Sequence, residues 1–195
     1  MNNKLLAQII SWVFNPLLIL IPVPYILVLK TTNNYNLAYF WSIFSFVFIL
    51  IIFIFILVGI EKKYFSDFDI SKRKERPLLF TFSIALSALY TVLLYFMHAP
   101  QVLFVGIFAL ILGLITIEIV NRVTKASVHV GTIAAFATSL SLAYSGIFYL
   151  TFLLIPLVAW SRIKTHNHTK RQTIIGAALG VLTTIVVYVI FKYIV

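Results

Sequence analysis

Twelve residues between two apolar runs carry most of the polar chemistry of this chain: Ser161-Arg162-Ile163-Lys164-Thr165-His166-Asn167-His168-Thr169-Lys170-Arg171-Gln172. A guanidinium such as that of Arg162 grips phosphate oxygens in a planar, two-pronged fashion. His168 and Gln172 are four residues apart, on one face of a helix expected to begin near Thr169. From there the glutamine reaches the imidazole and fixes its tautomer, which leaves the second ring nitrogen as a nucleophile. His166 is two residues off that face and reads as a loop residue. The chemistry this pattern suits is attack on a bound phosphoryl group, with an amide where a carboxylate would be the usual orienting partner.

Two further clusters suit the same chemistry. The first ends in Lys72-Arg73-Lys74-Glu75-Arg76-Pro77. Proline is favoured in the first turn of a helix, so Arg76 is expected at a helix mouth, with Arg73 one turn away to share a ligand. The second is Ala126-Ser127-Val128-His129. His129 opens an apolar run and has no sequence neighbour to pair with; an imidazole that gains and loses a proton near neutral pH suits a general acid. His98 falls on the opposite side of the predicted topology and has no expected part in chemistry.

The elements that must position these residues are membrane helices. The chain is 62% hydrophobic and only 10% charged, with mean hydropathy +1.07, against about 25% charged residues in a soluble domain. It lacks the polar residues to cover a soluble surface. Lipid offers backbone groups no partners, so apolar runs of about 20 residues cross it as helices. The expected architecture is all-α: a polytopic bundle of six to seven spans at 9–29, 37–60, 77–97, 102–120, 128–144, 146–160 and 173–194. The first is kinked by Pro16, Pro22 and Pro24, and is too long for a signal-peptide core. The fifth and sixth meet at a turn over Tyr144-Ser145-Gly146. The whole of 1–195 is predicted to be a single integral-membrane domain without a linker or repeat.

This span count brings the connections 61–76, 121–127 and 161–172 to one membrane face. Thirteen lysines and arginines belong to that face and the N-terminus, against Lys30 and Lys192 on the other, which predicts a cytoplasmic motif face. Setting aside Arg73, Arg76, Arg122 and Arg162 as phosphate ligands leaves nine against two. The formal charge of +10 is thus assigned to topology and anionic lipid headgroups, and nucleic acid is not an expected partner. The absence of cysteine excludes disulfides, thiolate metal sites and cysteine nucleophiles.

The clusters together resemble the type 2 phosphatidic acid phosphatase superfamily of integral-membrane lipid phosphatases, whose motifs are roughly KxxxxxxRP, PSGH and SRxxxxxHxxxD. The third matches from Ser161-Arg162 to His168 and is followed by Gly176-Ala177-Ala178-Leu179-Gly180, similar to the small-residue run of that family's last helix. The second keeps Ser127 and His129 without the proline and glycine. The first keeps Arg76-Pro77, while its lysine position falls on Asp69, so Lys72 or Arg73 substitutes. The resemblance covers roughly 61–185 and is closest to a divergent bacterial branch with Gln172 in place of the third-motif aspartate.

It implies a metal-independent phosphatase of a prokaryotic cell membrane, with no cofactor, acting on phosphatidate or a polyprenyl pyrophosphate. It implies that His168 forms a phosphohistidine, that His129 protonates the leaving oxygen, and that Gln172 orients the nucleophile. Arg73, Arg76 and Arg162, with Ser127 and Lys72, are then the phosphate-binding set. The alternative is a catalytically weak relative that binds phospholipid headgroups. A third reading, an intramembrane prenyltransferase using Asp67 and Asp69, lacks a second aspartate-rich motif. Composition leaves the oligomeric state open.

Overall fold

The structure is a computed structural model and describes residues 3–194. All regular structure among the described residues is helical, and the protein is an all-α polytopic membrane bundle. The helices are α1 (Asn3–Val13), α2 (Pro16–Leu20), α3 (Val23–Thr32), α4 (Tyr35–Glu61), α5 (Arg76–Phe96), α6 (Gln101–Val123), α7 (Val128–Tyr144), α8 (Leu154–Lys164) and α9 (Lys170–Ile194). Short 3-10 segments, Arg73–Glu75 and Gly146–Leu153, lead into α5 and α8.

Among the described residues, five helical segments are long and apolar enough to cross a membrane: Tyr35–Glu61, Arg73–Phe96, Gln101–Val123, Gly146–Lys164 and Lys170–Lys192. The first span is bent by about 40° at a break between Asn3–Val13 and Pro16–Thr32, where its prolines begin. The break has a local cause. Asn15 accepts the Leu17 N–H on its Oδ1 at 3.0 Å, a cap that starts a new helix at Pro16. The expected helix over 146–160 begins as 3-10 coil, because the chain leaves α7 through Ser145 (φ 55°) and Gly146 (φ 58°).

By contact the chain groups into two compact units, Met1–Ile19 with Ile119–Val195, and Leu20–Glu118. Each has an apolar core of its own. In Leu20–Glu118 the core joins Val28 and Ala38 to Trp41, Tyr90, Leu94 and Leu103, and the Tyr90 hydroxyl shares a 2.7 Å hydrogen bond with Ser45. The connection after α4 is folded back on that helix. Lys63 takes a left-handed turn (φ 62°), the Tyr64 and Phe65 N–H groups return to the Gly59 carbonyl, and the Phe65 ring occupies the space a Cβ at Gly59 would need. Asp67 accepts from the Ser71 N–H and hydroxyl, and Glu75 from those of Ser66. The basic stretch is a built loop ending on Arg76 and Pro77 at the start of α5, as the Arg-Pro pair predicts.

The other unit is organised by small residues. Gly176 and Gly180, one turn apart on α9, lie against the backbone carbonyls of Ser127 and Gly131 in and before α7. Contacts that pair 176 with 127 and 180 with 131 run in the same sense along both helices, so α7 and α9 are parallel. Close packing through small residues replaces the hydrophobic driving force that lipid does not supply. The intervening α8 packs on both, and its Val158 joins Val130 and Ile133 in the core. The N-terminal α1 also packs on α8, where the Ser161 hydroxyl donates to the Ala7 carbonyl at 2.7 Å.

Candidate active site

Because α7 and α9 are parallel and in register, they begin side by side, and Ser127, His129, His168 and Gln172 are at or next to those two starts. The Ser127 N–H donates to the Gln172 carbonyl at 3.1 Å, which joins the entry of α7 to the first turn of α9. One more bond ties the preceding connections together, and a second braces the entry to α7. Lys125 Nζ donates to the Asn167 carbonyl at 2.8 Å, and Asn121 Oδ1 accepts the Ala126 N–H at 3.1 Å.

The start of α9 is a reciprocal cap. Thr169 Oγ1 accepts the Gln172 N–H at 3.4 Å, and Gln172 Oε1 accepts the Thr169 N–H at 3.2 Å. This is the arrangement expected of a Thr-x-x-Gln sequence at a helix start. The same Oε1 is 3.2 Å from His168 Nδ1. A backbone N–H can only donate, so the atom of Gln172 that faces Thr169 is its oxygen. His168 Nδ1 is then the protonated nitrogen, and Nε2 keeps its lone pair.

Arg162 is held from both ends. Its carbonyl accepts the N–H groups of Asn167 and His168, both at 3.1 Å. That closure is made by His166, which takes the left-handed conformation (φ 60°) just past the end of α8, where glycine is usual. The Arg162 guanidinium is only 2% exposed, and its Nη1 donates a short hydrogen bond to Ser11 Oγ of α1. His129, in the first turn of α7, and His168 are 5% and 7% exposed. The unit therefore brings Arg162, His168 and Gln172 into one bonded set, with Ser127 and His129 on the adjoining helix start.

Ser127, expected to help bind phosphate, is fully buried and uses its hydroxyl to cap α7 at the Val130 N–H. Lys72, Arg73 and Arg76 belong to Leu20–Glu118. Lys72 is paired with Glu75 at 3.5 Å, Arg73 is exposed, and Arg76 is buried with its Nε donating to the Ile70 carbonyl at 3.1 Å. Arg73 and Arg76 thus differ in surroundings despite their one-turn spacing.

The sequence points to neither Ser11 nor Asn121 nor the Lys125–Asn167 tie. A signal existed for Ser11: a hydroxyl in an apolar span is costly in lipid and marks a contact with another polar group. Comparison of the chain with protein-family models, with curated proteins and with solved structures gave no match.

Proposed function

We propose that this integral membrane protein is a lipid phosphate phosphatase of the type 2 phosphatidic acid phosphatase kind, acting on phosphatidate or a polyprenyl pyrophosphate. The observation that carries this reading is the His168 Nδ1 to Gln172 Oε1 bond, which leaves the lone pair on Nε2, on a turn whose backbone is tied to the Arg162 carbonyl.

In the proposed reaction Nε2 of His168 attacks phosphorus, and a P–N bond forms as the P–O bond to the lipid breaks. The leaving oxygen takes its proton from His129. Water then attacks the phosphohistidine, with His129 now accepting a proton, and releases inorganic phosphate while restoring His168. Arg162 offsets the charge on the phosphoryl oxygens. Gln172 keeps the ring in the productive tautomer, but as a neutral amide it adds no charge to balance the imidazolium. The site faces the cytoplasm of a prokaryotic cell, on the excess of lysine and arginine in the connections that carry it.

Phosphate release by the purified protein from phosphatidate and from a polyprenyl pyrophosphate tests this. His168→Ala should lose at least roughly 10³-fold in rate, the scale of removing a covalent nucleophile, and rapid quenching of the parent should trap an acid-labile phosphohistidine. A His168→Ala protein as fast as the parent would sink the proposal.

A second reading is favoured by the capping role of Ser127 and the neutral Gln172: a headgroup-binding protein with little turnover. Retained phosphatidate binding, with no phosphate release from either the parent or Gln172→Glu, would establish it.

A further inference from the structure

The unit that contains His168 is short of anions. All five acidic side chains of the protein, Glu61, Asp67, Asp69, Glu75 and Glu118, belong to Leu20–Glu118. Met1–Ile19 with Ile119–Val195 has Lys4, Arg122, Lys125, Arg162, Lys164, Lys170, Arg171 and Lys192 and no acidic side chain at all.

An open groove of about 1040 Å³ lies in the same unit, where α1, α8 and α9 meet. Each helix contributes a lysine to its rim: Lys4 from the start of α1, Lys164 from the end of α8 and Lys170 from the start of α9. His166 joins them on its left-handed turn, while His168 does not line the groove. Beyond the rim the wall is apolar. Pro156, Ala159, Trp160 and Ile163 follow one another along one face of α8, and Ile174 faces them from α9. From Pro156 to Ile163 this face runs about 10 Å at 1.5 Å per residue. Cations at one end, an interfacial tryptophan, and hydrocarbon beyond match a phospholipid from headgroup to acyl chain.

We propose that this groove is a binding site for an anionic diacyl phospholipid of the surrounding bilayer, separate from the site at His168. Lys4, Lys164 and Lys170 hold the headgroup phosphate, and the acyl chains lie along Trp160, Ile163 and Ile174. A soluble anion would use only the rim. A zwitterionic lipid would bring a cation against three lysines. The site does not depend on the phosphatase reading.

The test uses the whole protein in nanodiscs of phosphatidylcholine doped with phosphatidylglycerol. Lipid retained after purification is measured by native mass spectrometry, and the melting temperature is followed as the phosphatidylglycerol fraction rises. The parent should retain phosphatidylglycerol and gain stability with it. The variant Lys4→Gln/Lys164→Gln/Lys170→Gln should bind it roughly 100-fold more weakly, since each lysine at an anionic surface contributes a factor of about five. In pure phosphatidylcholine the variant should melt with the parent, because the three lysines are exposed. Lys192→Gln should leave phosphatidylglycerol binding unchanged, and so should His168→Ala, which separates this site from the catalytic proposal. Equal binding by the triple variant and the parent overturns the assignment. Equal stabilisation by inorganic phosphate in pure phosphatidylcholine overturns it too, in favour of a soluble-anion site.

Discussion

Gln172 serves two ends with one oxygen. It closes the first turn of α9 through Thr169, and it holds the imidazole of His168. A carboxylate of the same length would keep both bonds and add charge where the imidazolium forms. Replacing a neutral hydrogen bond by a charge-assisted one is worth about 1.4 kcal/mol, or about tenfold in rate. Gln172→Glu should therefore raise kcat for phosphate release about tenfold, measured on phosphatidate. Gln172→Ala should lower it and also lose about 1 kcal/mol of stability with the cap. The reach of Gln172 to His168 was readable from a spacing of four. The cap that the Ser127 hydroxyl makes to the Val130 N–H was not readable, because sequence spacing does not separate that use from ligand binding. The Arg162–Ser11 bond joins residues 151 positions apart, and no local pattern forecasts such a pairing.

At the scale of elements, the register of α7 against α9 decides whether the histidines share a neighbourhood, and two glycines set it. A methyl group at position 176 or 180 would collide with backbone, at the carbonyls of Ser127 and Gly131, and backbone cannot swing aside as a side chain can. Gly176→Ala and Gly180→Ala should each cost about 1–3 kcal/mol, the usual range for forced overpacking, and should reduce activity by shifting the start of α9. Gly113 of α6 has nothing within 4 Å of an added Cβ. Gly113→Ala should thus stabilise by about 0.4–1 kcal/mol. Thermal unfolding in detergent reads all three, and a common sign would refute the clamp. The glycine run was visible in the sequence as small residues in a last helix. Its partner was not, because nothing along the chain states which helix approaches it. The break at Asn15 and the 3-10 entry into α8 were hidden for a related reason: hydropathy registers apolar length, and caps and turns act through single residues.

For the whole molecule, composition alone supplied the membrane class and the all-α architecture, since lipid leaves a chain this apolar few other ways to satisfy its backbone. Which helices share a core was not legible, because hydropathy marks each apolar helix without naming its neighbour. Sidedness can be read directly, as the chain has no cysteine to remove first. Arg122→Cys and Arg171→Cys, near the starts of α7 and α9, should react with a membrane-impermeant maleimide from the cytoplasmic side. Ile147→Cys, past the other end of α7, should react from the opposite side. Labelling of Arg122→Cys and Arg171→Cys from different sides would contradict the parallel arrangement. Labelling of both from outside would reverse the proposed orientation.

The parallel course of α7 and α9 also adds the peptide dipoles of the two helices where most helix neighbours cancel them. Each helix start has the equivalent of about half a positive elementary charge. Two of these stand side by side at His129 and His168, in a unit without an acidic side chain to offset them. They repel each other, and on the proposed phosphatase reading a phosphoryl group bound there would offset that repulsion. The backbone would thus add to the pull of the proposed arginine and histidine on an anion, by an amount that neither side chain supplies.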